Sequence, residues 1–356
     1  MRFCFYAING IGLGHLARTI AIARALGKEG HDFLFLTSSP ATELLDGESL
    51  PYVQFPSDHH LATKSLALKD KTYSRLLHGV VGTTINSFDP HVFVVDTLPT
   101  GSRGELSQLA TSARRSAFIL REQRRPPDPA TVAAINQYDQ ILIPHADSPS
   151  STPAGIAAEK VTFTGPILLR SKEDRPAQLP DALEGVPRPL VGVAFGGGGD
   201  RDFLALVDWI DRAAPRHPDL HFAVSIPPLL RENVPPFAGE NITRFEHCPL
   251  ADLWQNFDLV ISAAGYNSTN ELLHFGVPTI FVPLERPLDD QHARAEALAR
   301  EGAATVATAM DDISLDRALT ELKDPGRRQT IAAKARSTLS TNGAEIAAAT
   351  LIDVAS

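Results

Sequence analysis

Cysteine, methionine and tryptophan are nearly missing from this 356-residue chain, which has two of each. The thiols, Cys4 and Cys248, fall in different predicted domains, so no disulfide framework is expected and a reducing, cytoplasmic compartment fits. No apolar run approaches the roughly 20 residues that span a bilayer. The N-terminal MRFCFYAING is already strand-like and carries no leader pattern. An excess of basic charge is absent as well. The 33 Lys and Arg against 42 Asp and Glu leave a net charge of −9, which argues against nucleic acid as a partner. His59, His60, His217, His221 and His247 lack zinc-ligand spacing, and no repeat of solenoid length occurs.

What remains is an ordinary globular composition, 43% hydrophobic and 21% charged. The length exceeds one ordinary core, so two domains are expected. Runs such as 3–7 and 92–95 are apolar throughout, the mark of strands buried on both faces, and they alternate with helical patterns. This predicts an α/β protein made of two doubly wound, Rossmann-like parallel sheets. Between Pro166 and Pro189 prolines and charges accumulate and periodicity fades, as in a semi-rigid connection. The expected division is residues 1–165, a linker at 166–188, a second domain at 189–340, and a final helix at 341–356 that packs back on the first.

In the first half, the opening strand empties into Gly10-Ile11-Gly12-Leu13-Gly14-His15. Glycines there let a ligand approach the backbone, which makes Gly12 and Gly14 candidate contacts. The string is not a dinucleotide fingerprint, because Gly14-His15 replaces the third glycine and no acidic residue ends the next strand. His15, at the start of a helix, is a candidate general base. Asp96, at the end of a parallel run, is its candidate partner, since a carboxylate on one ring nitrogen fixes the tautomer and stabilises the imidazolium that forms. The plainer readings are a helix-start histidine and a turn-capping aspartate. Residues 61–88 read as one long helix carrying Lys64, Lys69, Lys71 and Arg75. It is either a core helix with a solvated basic face or a surface for an acceptor or a peripheral membrane contact. Arg121 and Arg124 follow the strand at 116–120 and are candidate contacts for an anionic acceptor or a donor phosphate, with a solvated loop as the alternative.

In the second half, the strand at 190–195 runs into Gly196, Gly197, Gly198 and Gly199, which suit a backbone nest for phosphate. Asp200-Arg201-Asp202 offers a D-x-D pattern, discounted as a metal site because Asp200 is placed to cap a helix. The stretch 257–300 reads strand, loop, helix, strand, loop, helix. Its small residues Ala263, Ala264 and Gly265 admit an anion to a helix N-terminus. Glu271 is expected to be buried among leucines, where a carboxylate needs hydrogen bonds such as a vicinal diol supplies. Asp290 and Gln291 suit sugar hydroxyls.

Gly265, Thr269, Glu271, Leu272, Gly276, Pro278, Pro283, Asp290, Gln291 and Ala295 together resemble the donor-site signature of family 28 glycosyltransferases, which include the N-acetylglucosaminyltransferase of lipid II synthesis. The resemblance implies a GT-B fold, two facing Rossmann-like domains with an interdomain cleft, and sugar transfer, of a hexose or N-acetylhexosamine, from a UDP-sugar to a hydroxyl acceptor without a metal or other cofactor. It also implies that Glu271 binds the ribose hydroxyls, that Asn267, Ser268 and Thr269 face the phosphates with the Gly196–Gly199 loop, that Gln291 contacts the donor sugar, and that the base lies near His247. The Gly12, Gly14, His15, Arg18 pattern resembles the acceptor-side loop of GT-B enzymes, and equally that of the UDP-sugar hydrolase of the pseudaminic acid pathway. Transfer to a small-molecule or lipid-linked acceptor is therefore expected, with hydrolysis by water, or a non-catalytic nucleotide-sugar-binding subunit, as the alternatives.

Overall fold

A computed structural model describes residues 1–8, 13–39, 41–56, 69–107, 113–121, 125–147, 152–196, 202–227, 230, 234–286 and 289–356. The chain forms two compact units, residues 1–169 with 342–356, and residues 170–341.

The first unit is built on a seven-stranded, all-parallel sheet in the order β3-β2-β1-β4-β5-β6-β7. Its strands are β1 (Arg2–Ala7), β2 (Asp32–Thr37), β3 (Tyr52–Gln54), β4 (Val92–Asp96), β5 (Ser116–Ile119), β6 (Gln140–Ile143) and β7 (Val161–Phe163). The apolar runs lie where a parallel sheet needs them. Phe3, Phe5, Val92 to Val95 and Phe118 have no exposed surface, and each such side chain stabilises the fold by about 2 kcal/mol. Helix α1 (Gly14–Leu26) buries Leu16, Ile20 and Ala23. The short α2 (Glu43–Gly47) follows β2. The basic helix is present as α3 (Asp70–Phe88), which buries Tyr73, Leu77, Val81 and Ile85; the first part of the stretch expected as helix falls largely outside the described residues. Helix α4 (Pro129–Ile135) starts on an Asp128 cap.

The C-terminal helix, Ala344–Ala355, completes this unit by packing on α1 through Ala347, Ala348 and Leu351. Asn342 anchors its return. The Asn342 side chain accepts from the Leu168 amide and donates to the Leu168 carbonyl, both at 2.9 Å, so it imitates a neighbouring strand. Gly343 is obligatory at this crossing, because a Cβ there would lie 2.5 Å from the Thr164 and Gly165 carbonyl oxygens.

The second unit has a six-stranded parallel sheet in the order β10-β9-β8-β11-β12-β13. Its elements are β8 (Leu190–Ala194), α5 (Phe203–Ala213), β9 (His221–Ser225), β10 (Ile242–Phe245), β11 (Leu259–Ser262), α6 (Tyr266–Phe275), β12 (Thr279–Phe281), α7 (Gln291–Arg300), β13 (Thr305–Val306), α8 (Asp312–Lys323) and α9 (Pro325–Thr338). From Arg170 onward the proline-rich stretch is part of this unit. Leu183 is buried with Trp254 and Phe257, and Ala177 exchanges hydrogen bonds with Asp252 and Asn256. Helix α6 ends where the sequence places its stop. Gly276 adopts φ +68°, and a Cβ there would also meet the Arg336 side chain. In both sheets the strand order reverses beside the first strand, between β1 and β4 and between β8 and β11. Ligands of doubly wound sheets gather at the carboxyl ends flanking such a reversal.

Candidate functional site

In the first unit the reversal brings two predicted residues together. Tyr6 lies opposite Val95 across β1 and β4, so the carboxyl ends of the two strands share one edge. His15, in the first turn of α1, places Nδ1 3.2 Å from Oδ2 of Asp96, the last residue of β4. Arg18, one turn further along α1 and fully buried, has Nε 3.8 Å from the same oxygen. Burial alone would raise the Asp96 carboxyl. Arg18 and His15, with the Thr97 hydroxyl at 2.9 Å, outweigh that and hold it below the usual carboxylate range. An ionised carboxylate can only accept, so the imidazole proton sits on Nδ1 and Nε2 is left to accept one from elsewhere. The imidazole is 23% exposed, enough to meet a substrate.

The backbone beside Asp96 is strained. Thr97 is β-branched yet adopts φ +68°, a conformation that costs on the order of 1–3 kcal/mol. Its hydroxyl bond to Asp96 and its amide bond to Ile119 keep it there. The following loop is fixed by Glu105, buried and missed by the sequence reading, whose carboxylate accepts from the Tyr6 hydroxyl and from the Ser102 and Arg103 amides. Gly14 opens α1, and Arg121 sits half-buried just past β5. Gly12 and Arg124 lie outside the described residues.

The second unit repeats the geometry with different chemistry. Ala194 lies opposite Ser262, so the turn after β8 and the turn after β11 are neighbours. Gly196 takes φ +98° in the first of these, and Gly197, Gly198 and Gly199 lie outside the described residues. After β11, Ala263 and Ala264 lead to Gly265, the N-cap of α6, which offers no side chain to its helix. Asn267 and Ser268 are half-buried in the first turn and Thr269 is buried.

Glu271 is 8% exposed on α6 and its Oε2 accepts from the Trp254 indole at 2.8 Å. No hydrogen bond reaches Oε1 from the described residues. The carboxyl is raised to about 7, chiefly by burial and also by Asp252, against the opposing pull of the Trp254 bond and the charge of Arg170. Arg170 is committed to Asp252 at 2.5 Å rather than to Glu271, and His247 joins the pair with Nε2 3.3 Å from Oδ2. Burial would raise Asp252, yet His247 and Arg170 hold it below its ordinary value.

The residues of the last loop are partly occupied by the fold. Asp290 caps α7 by accepting from the Ala293 amide at 3.0 Å. Gln291 accepts from the Leu284 amide with Oε1 at 3.0 Å, which leaves its amide nitrogen beside Gly265. Trp254 and Arg294, both in contact with these groups, had no signal in the sequence, because neither stands at a helical or strand period from its partner.

Residues 202–350 match the glycosyltransferase family 28 C-terminal domain, a span that includes Gly265, Glu271 and Gln291. Solved structures match along the whole chain. The glycotransferase of kitacinnamycin has a TM-score of 0.69 at 17% identity, over 100% of this chain and 99% of its own. The chain has the GT-B fold. The spinosyn rhamnosyltransferase SpnG in complex with thymidine diphosphate scores 0.63 at 17% identity, over 99% of this chain and 100% of its own. MurG of Acinetobacter baumannii scores 0.60 at 17% identity with the same coverage. No curated protein matches the sequence significantly. Among the described residues, no helix of this GT-B protein is long and apolar enough to cross a membrane.

Proposed function

We propose that this protein transfers a sugar from a nucleoside diphosphate sugar to a hydroxyl acceptor, without a metal. The observation that carries the reading is Glu271, a buried carboxylate with one oxygen on Trp254 and the other without a partner among the described residues, one helical turn and a half beyond the Gly265 turn. The two hydroxyls of a ribose would supply the missing hydrogen bonds, and the diphosphate would meet the backbone amides at the start of α6. A ribonucleotide such as UDP is therefore the proposed carrier.

His15 would remove the proton of the acceptor hydroxyl as its oxygen attacks the anomeric carbon. The C–O bond to the diphosphate breaks, and its electron pair leaves with the phosphate oxygen, where the amides stabilise the developing charge. Asp96 stabilises the imidazolium that results. The test is incubation with UDP- and TDP-sugars, with and without a panel of hydroxyl acceptors, followed by mass spectrometry. Glycosylated acceptor from a UDP-sugar is expected. Release of free sugar at the same rate without an acceptor would convert the reading to a hydrolase, and tighter binding of TDP than of UDP would remove the ribose role of Glu271.

A further inference from the structure

We propose that Arg294 is the positioning residue of the phosphate-binding turn at Ala264-Gly265, an inference that rests on the donor reading above. Three contacts converge on this one side chain. Its Nη1 donates to the Ala264 carbonyl oxygen at 2.7 Å, and its two terminal nitrogens reach Asp289 at 2.7 and 3.3 Å. The guanidinium also lies over the Tyr266 ring, 5.7 Å from its centroid. The side chains of the Arg294–Asp289 pair are mostly buried, so the pair is shielded from water.

The geometry of a trans peptide does the rest. The N–H of Gly265 is antiparallel to the C=O of Ala264, because both belong to one planar unit. Holding the carbonyl on Arg294 therefore aims the Gly265 N–H the opposite way. That N–H donates to nothing among the described residues, although Gly265 is half-buried. The first N–H groups of a helix have no acceptor within it, and an anion is a ligand that this one fits. If the peptide turned over, a carbonyl oxygen would face the phosphate instead, and attraction would become repulsion.

Arg294 does not act as the counterion itself. Its charge is matched by Asp289, so its effect on an anion passes through the backbone it holds. Lysine could not replace it, because a single ammonium lacks the planar fork that serves a carbonyl and a carboxylate together.

The test is calorimetric titration of the full chain with UDP and, separately, with uridine, for wild type, Arg294→Met and Arg294→Lys. Arg294→Met is expected to weaken UDP about tenfold while leaving uridine unchanged, the loss of one charge-assisted hydrogen bond's influence on the phosphates alone. Arg294→Lys is expected to recover only part of that loss. Equal loss for UDP and uridine, no loss for either, or full recovery by lysine would each overturn the inference. Should Arg294→Met not fold, the UDP-to-uridine affinity ratio of Arg294→Lys decides it. A folded wild type that binds neither compound would instead remove the donor reading, and this inference with it.

Discussion

Asp96 ends the strand beyond the strand-order reversal of the first sheet, Glu271 lies on the helix that follows the corresponding strand of the second, and both are buried. Their surroundings differ in one respect. Asp96 has a guanidinium, an imidazole and a hydroxyl around it, whereas Glu271 has one indole N–H. Burial pushes both carboxyls up, but only Asp96 has enough positive charge nearby to reverse the push. Asp96 is thus charged before any substrate arrives, as the partner proposed for an imidazolium has to be. Among the described residues Glu271 has the one donor, which leaves Oε1 able to accept from a ligand. Two buried acidic residues near the two reversals are thus suited to different work, the one to holding charge and the other to receiving hydrogen bonds, according to what is packed around them.

The comparison is most easily broken at the dyad. His15→Ala should lower turnover about a thousandfold with nucleotide binding unchanged, and Asp96→Asn should follow with about a hundredfold loss, since the amide cannot stabilise the imidazolium. Steady-state rates beside UDP titration check both, and unchanged turnover in His15→Ala would remove it from the mechanism.

Glu271→Gln should weaken UDP roughly thirtyfold and, unlike the dyad variants, gain stability. The sign follows from its raised value: stability associated with Glu271 is full below about 4.5 and lost as pH rises through about 7, whereas that of Asp96 is present above about 3.8 and lost as pH falls through its lower folded value. The amide variant should therefore melt several degrees higher than wild type at pH 8 and alike at pH 5. Equal melting at both values would show that Glu271 is not short of donors.

The smallest effect is expected from Thr97→Ala, which removes one hydrogen bond from Asp96 and leaves Arg18 and His15 in place. A fall in turnover of about threefold fits that loss. A fall as large as that of Asp96→Asn would mean that the hydroxyl, not Arg18, keeps the carboxylate charged.

Much of this was legible in the sequence. Continuous apolar runs identified the parallel strands, and glycines in the sequence marked where β1 and β8 end. The approach of His15 to Asp96 was legible because Asp96 ends one strand and His15 opens the helix that follows another, and a doubly wound sheet makes those two strands neighbours. Contacts between residues with no common period were not legible. Trp254 reaches Glu271 from a one-turn helix, and Arg294 reaches back 30 residues to a carbonyl that carries no side-chain signature. The packing of the proline-rich stretch was not legible for a related reason: prolines signal a connection, but Leu183 among them fills the second unit's core.

The return of the last residues to the first sheet has a consequence for synthesis. On the ribosome, every strand and helix of the Arg170–Thr341 unit emerges before Ala347 and Leu351 become available to cover α1. The half that is translated first must therefore be finished last, and until then a stripe of α1 is left for water or a chaperone to cover.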